Sequence, residues 1–279
     1  MESVNLIGPG RVGETLLRCL MRADGYVVQD ICSRRFERAS SVVQRLNVGR
    51  AVELSAMKAA DIWLVAVPDG DIHKVAADLA ECDVPPSAVV HFSGFHGANI
   101  MAQLADRGWH IASAHPNLSF ANPDTAAENF AGTLVGVEGS GDGVETVERL
   151  LRTLGARTFP LNSESKVLYH SAAVFSNNFT TVVQAIAHQI WAQAGLSDAA
   201  ARELSANLLR AATENVVSLG PAAALTGPAA RGDADVVRAE TDALSDLDTN
   251  AGQLYAVLSK CADRLKRTGT PFDLLSDDR

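Results

Sequence analysis

Apolar and polar positions divide this chain into two regimes. Up to about residue 160, short apolar runs alternate with segments of helical period; beyond Ser163 only helical periods follow. The runs at 4–7, 26–32, 51–54, 61–67, 88–92, 109–114, 133–137 and 156–160 read as strands. Between them, 14–22, 36–46, 72–82, 98–107 and 144–154 read as helices. Strands alternating with helices predict an α/β fold with a doubly wound (Rossmann) parallel sheet, followed by an all-α C-terminal domain. The expected domains are 1–162 and 163–279, with helices over 166–196, 197–219, 234–245 and 249–267 and a loose tail from Thr268.

The stretch 166–196 is the most unusual of these. Lys166 is its only charged residue apart from histidine, whereas a surface helix of that length carries several. At about 100° per residue, Leu168, Phe175, Phe179, Val182, Ile186 and Ile190 share one side, which the pattern assigns to a core. Lys166, His170, Asn177, Gln184 and His188 share the other, a polar stripe suited to a ligand cleft or a subunit contact. Ser163 and Glu164 are placed to cap the helix.

The first apolar run leads into Gly8-Pro9-Gly10-Arg11-Val12-Gly13 and then a helical pattern, the order a dinucleotide-binding turn requires. Gly8 permits the tight turn, Gly10 the approach of a pyrophosphate, and Gly13 close helix–strand packing. Asp30 follows Gly8 by 22 residues, in range for a ribose hydroxyl, but the strand runs past it to Ser33-Arg34-Arg35. A hydroxyl and two guanidiniums suit a 2′-phosphate, which favours NADP(H) over NAD. Val67-Pro68 and Ser93-Gly94 fall at strand ends, where they would border a nicotinamide. His115, on the strand-to-loop edge His115-Pro116-Asn117, is placed in the cleft. In the second half, Thr226 and Arg231 could take a substrate carboxylate; alternatively Arg231 pairs with Asp233.

Composition narrows the partners. With 47% hydrophobic and 20% charged residues over 279 positions, the chain reads as a globular protein. A net charge of −9 argues against nucleic acid or anionic membranes as partners. The start of the chain carries no signal-like segment, and the cysteines Cys19, Cys32, Cys82 and Cys261 are scattered, so a cytoplasmic location is expected. His91, His96, His110 and His115 match no ligand spacing, so no metal is expected.

The dinucleotide turn, the Ala66-Val67-Pro68 turn and the long helix opening a helical half resemble the superfamily of 6-phosphogluconate dehydrogenase, 3-hydroxyisobutyrate dehydrogenase, ketopantoate reductase and pyrroline-5-carboxylate reductase. In the β-hydroxyacid and ketopantoate members a catalytic Lys is followed four residues on by Asn; here Lys166 matches and His170 replaces the Asn. SGFHGA, HPNLSFANP, KVLYHSAAVFSNNFTT and LGPAAALTGPAARGD are similar to segments of a bacterial family assigned as NADP oxidoreductases, whose C-terminal domain is of unknown function. The resemblance implies NADPH-dependent reduction of a small carbonyl, a 2-oxo acid such as ketopantoate. Lys166 and His170 would be catalytic, Asn177 or Asn178 would bind substrate, and a homodimer would form through the helical domain. Imine reduction, a prephenate-type oxidation and a non-catalytic NADP(H)-binding regulator are the competing readings.

Overall fold

The structure is a computed structural model and describes residues 1–274. Eight strands form one sheet: β1 (Glu2–Ile7), β2 (Tyr26–Cys32), β3 (Arg50–Ala51), β4 (Ile62–Val65), β5 (Ala88–His91), β6 (His110–Pro116), β7 (Leu134–Gly139) and β8 (Arg157–Pro160). Around them run α1 (Arg11–Leu20), α2 (Phe36–Leu46), α3 (Asp69–Ala80), α4 (Ala102–Ala105), α5 (Pro123–Glu128) and α6 (Asp142–Thr153). The order is β3-β2-β1-β4-β5-β6-β7-β8, so the chain reverses its direction of travel between β1 and β4. Ligands bind outside the carboxyl ends of the strands at such a point.

Burial follows the strand period. All four residues of β4 are buried, Ile62 and Leu64 in one apolar cluster and Trp63 and Val65 in the other. The first cluster includes Leu16 and Leu17 of α1 and Leu150 and Leu151 of α6; the second holds Ile72 and Leu79 of α3. A strand buried on both faces reads as a continuous apolar run, as the sequence does here.

The sheet departs from the all-parallel expectation at one place: β7 pairs antiparallel with β6, Ala114 opposite Val137. After Pro116 only the short α5 intervenes, and Asn117 N–H already donates to Leu134 O at 3.0 Å. The chain therefore re-enters the sheet from the edge it has just left, without the crossover a parallel return needs. The third strand is shorter than expected, ending at Ala51.

The helices that follow are α7 (Lys166–Ala173), a π-helical turn (Val174–Phe179), α8 (Thr180–Gln193), α9 (Asp198–Leu219), α10 (Pro221–Ala224), α11 (Pro228–Arg231), α12 (Ala234–Leu247) and α13 (Thr249–Thr268). Asn162, and not Ser163 or Glu164, caps the entry to α7, accepting from Glu164 N–H. Ser197 and Asp248 cap α9 and α13 by the same geometry. The tail expected from Thr268 is helical at its first residue, and its last five positions, 275–279, lie outside the described residues.

By compactness the chain divides into Met1–Thr180 and Thr181–Arg279. Both apolar clusters lie in the first unit. Among the described residues of the second unit, only Ala201 and Gly252 are buried. No helix among the described residues is long and apolar enough to cross a membrane.

Candidate active site

The glycine turn joins β1 to α1 at the reversal point. Gly8 has φ +95°, and a Cβ there would sit 2.5 Å from Ala66 O, so both the turn and the neighbouring strand end demand glycine. A Cβ on Gly13 would run into Gly8 O. Gly10 caps α1 without a side chain, which leaves the N–H groups of the first turn directed at the crevice. Glu14, the one acid in that turn, is turned away into ion pairs with Arg18 and Arg45, and the Arg45 hydrogen bonds hold its pKa below the usual range.

Asp30 does not face the crevice. Fully buried, it accepts from Arg50 at 2.9 and 3.1 Å and from Lys58 N–H at 2.8 Å, tying β3 to β2. The strand tip beyond it supplies Ser33, Arg34 and Arg35, and the crevice of about 390 Å³ gains two cations the motif did not point to, Arg38 and Lys74. Val67 and Pro68 also line it. Arg34 is almost fully exposed, 3.8 Å from Asp71.

The carboxyl ends of β5 and β6 lie along the same sheet edge and bring Ser93-Gly94 against His115. A Cβ on Gly94 would come within 2.8 Å of His115 Nε2 and would strike His170 Nδ1, so glycine is what lets both rings pack there. The rings stand edge to face with centroids 5.3 Å apart. His170 Nδ1 is buried with no hydrogen-bond partner in the structure. Both histidines border a recess of about 350 Å³ that also holds Asn177 and Asn178. Burial, with His170 and Lys166 adding to it, lowers the His115 pKa to about 4.

Lys166 does not line this recess and has 1% of its surface exposed. Its Nζ donates to Ser93 O at 3.1 Å and Ser113 Oγ at 2.5 Å, and stands 3.7 Å from Glu138. Glu138 in turn accepts from Ala98 N–H and Ser163 Oγ, both at 2.6 Å. Burial lowers the Lys166 pKa, and Glu138 opposes the shift. The helix face expected to be a cleft wall is thus the face packed inward at its first residue. Leu168 and Phe175, expected in a core, are 75% and 64% exposed. The π turn adds a residue to one helical repeat, so the stripe drawn at uniform pitch loses its phase after Ala173.

Thr226 is exposed in the second unit, and Arg231 pairs there with Asp233 at 2.8 Å. His188, also on that unit, stands 3.2 Å from Asp198. Glu138, Ser113, Tyr169, Arg38 and Lys74 were missed by reading the sequence. Only Glu138 carried a signal: a carboxylate directly after the apolar run at 133–137 requires a partner if the strand continues through it. Among the described residues no group of histidine, cysteine or acidic side chains is arranged to hold a metal.

His91 shares the neutral state of His115. Its Nδ1 accepts from Ser93 N–H and its Nε2 donates to Gly97 O, and burial lowers its pKa to about 3. Both folded values lie below the ordinary ~6.5, so between these limits the unfolded chain binds more protons. Stability is therefore complete above about pH 6.5 and falls as acid is added towards pH 4, by up to about 1.4 kcal/mol per unit for each ring. Thermal melts across that range should record a declining Tm; a Tm constant down to pH 4 would contradict the burial of these rings as neutral species.

Two family models match the chain, a Rossmann-like domain over residues 2–116 and a domain of unknown function, DUF2520, over residues 133–262. The solved protein TM1727 from Thermotoga maritima is 27% identical with a TM-score of 0.74, over 95% of this chain and 99% of that one. BF3122 from Bacteroides fragilis, provisionally named an NADP oxidoreductase, is 23% identical with a TM-score of 0.78, over 94% and 98% of the two chains. The pyrroline carboxylate reductase of Plasmodium falciparum, solved with NADP bound, is 11% identical with a TM-score of 0.61, over 94% and 98%. No curated protein matches. The class is a Rossmann-like domain followed by a helical region similar to the domain of unknown function.

Proposed function

We propose that this protein is an NADPH-dependent oxidoreductase that reduces a small carbonyl compound, a 2-oxo acid such as ketopantoate. The observation that carries this reading is the packing of His115 and His170 on Gly94, at the same sheet edge as the Gly8–Gly13 turn. The cradle at Gly8 and the uncapped first turn of α1 fit a dinucleotide, and a nicotinamide cofactor held there supplies the hydride.

The remaining chemistry belongs to the chain. Gly8, Pro9, Gly10, Arg11, Val12 and Gly13 hold the pyrophosphate, and Ser33, Arg34, Arg35, Arg38 and Lys74 hold the 2′-phosphate. Val67, Pro68, Ser93 and Gly94 border the nicotinamide. Charge that develops on the substrate oxygen is met by His115, and the proton comes from His170. Asn177 and Asn178 orient the substrate. Lys166 fixes the Ser93 carbonyl and hence the Gly94 turn, so it acts through that turn. A homodimer assembled through the helical unit completes the reading.

NADPH oxidation assayed with ketopantoate, other 2-oxo acids, pyrroline-5-carboxylate and, in reverse, prephenate-type substrates tests it. Turnover of the cyclic imine would make the protein an imine reductase, and cofactor binding with no turnover would make it a regulator. Arg34→Ala combined with Arg35→Ala should raise KM for NADPH about tenfold to a hundredfold, the loss of charge-assisted bonds to phosphate, and leave KM for NADH nearly unchanged. An equal change for both cofactors would remove the 2′-phosphate from this end of β2.

A further inference from the structure

Tyr169 lies one residue from His170 and was not singled out by the sequence. Its hydroxyl has three polar atoms within reach: Asn117 Nδ2, His115 Nδ1 and His115 O. Asn117 Nδ2 stands 3.1 Å from Leu134 O, a group that only accepts, so the amide nitrogen is the atom on that side. The second hydrogen of the same nitrogen is donated to Tyr169 Oη at 2.5 Å. A phenol oxygen has two acceptor positions and one proton. With Asn117 donating to the oxygen, the hydroxyl proton has two acceptors in reach, and His115 Nδ1 at 3.0 Å is nearer than His115 O at 3.4 Å.

We propose that Tyr169 is a positioning residue whose hydroxyl, oriented by Asn117, donates to His115 Nδ1 and so fixes the His115 proton on Nε2. That nitrogen is the one packed against Gly94. The edge-to-face contact of the two rings, centroids 5.4 Å apart, and the contact of Phe159 on the other side hold Tyr169 in this pose. Protonation at Nδ1 would leave the hydroxyl proton only the longer contact to His115 O at 3.4 Å, and burial already keeps the ring neutral. His115 then offers the site a neutral Nε2–H donor that polarises a carbonyl without losing its proton, which leaves proton delivery to His170. The catalytic consequence rests on the oxidoreductase reading above; the tautomer does not.

The test is long-range ¹H–¹⁵N spectroscopy of the protein labelled with ¹⁵N-histidine, near pH 7, with His115 identified by the signals lost in His115→Gln. The wild-type ring should show a protonated Nε2 and an unprotonated Nδ1. Tyr169→Phe should convert it to a mixture containing the Nδ1–H form, with kcat lowered about tenfold and KM for NADPH unchanged. Asn117→Ala should weaken the preference in the same direction and serves if the phenylalanine variant does not fold. A wild-type ring protonated at Nδ1, or a pure Nε2–H form that persists in Tyr169→Phe or in Asn117→Ala, overturns the assignment. If the tautomer behaves as expected and no substrate is reduced, the positioning role stands and the oxidoreductase reading fails.

Discussion

Lys166→Ala lowers kcat by well over tenfold, leaves KM for NADPH within about twofold, and destabilises the first unit by roughly 3–5 kcal/mol. The stability loss follows from what the ammonium leaves behind. Glu138, 8% exposed, would stay in the interior without its cation, and Ser93 O would lose its donor. Removing one partner of a buried pair exposes the full desolvation cost of the other, which is why the effect exceeds that of a surface ion pair. The rate loss follows from Ser93 O: with that carbonyl released, the Gly94 turn no longer holds the two histidine rings at their spacing. On the proposed reading the cofactor is held by Gly8–Gly13 and the β2 tip, and Lys166 bonds to neither. Glu138→Gln should recover part of the stability in the Lys166→Ala background, because the orphaned charge is then gone. Steady-state kinetics and denaturant titrations of the two single variants and the double variant decide the matter. A Lys166→Ala protein as stable and as active as the parent would remove Lys166 from both roles.

The second large effect is expected at Leu208, 58% exposed on α9. Leu208→Glu should turn a dimer into a monomer by light scattering and lower Tm by many degrees. A 99-residue unit would ordinarily bury most of its apolar side chains, and here two small residues are all that is buried among those described. Leu204, Val216, Val217 and Leu219 of the same helix are 40–81% exposed, as are Leu254, Val257 and Leu258 of α13 at 40–52%. An exposed apolar surface spread over several helices exceeds the isolated patches of a monomer and matches an obligate contact, where folding and association are one event. A second copy is the partner always present when the chain folds, and closed two-fold pairs are the commonest solution. Wild-type Tm should then rise with protein concentration; a concentration-independent Tm together with a monomeric mass would refute the dimer.

Much of the first unit was legible because its signals are local. Val4–Ile7 followed by three spaced glycines needs only nearest neighbours to be read, and Gly8 meets Ala66 O as the turn requires. The strand tip Ser33-Arg34-Arg35 was legible as well, while Arg38 and Lys74 beside it were not, because they come from helices whose rotation the sequence does not fix. His115 was placed by its position at a strand end. Its partners Tyr169 and Asn117 were invisible, since each is one polar residue among many until the chain brings them together.

By itself, then, the sequence determined the alternation of strands and helices, the glycine turn and the basic tip of β2, all of which depend on contacts within a few residues. Only the tertiary structure decided which way the helix after Asn162 faces. Uniform pitch and hydrophobicity turned Leu168 and Phe175 inward and left Lys166 in a cleft. In the folded chain Lys166 is interior, because Ser93, Ser113 and Glu138 converge on it from three strand regions and together compensate a buried charge. No periodicity along one helix can reveal partners that lie 28 to 73 positions away in the chain.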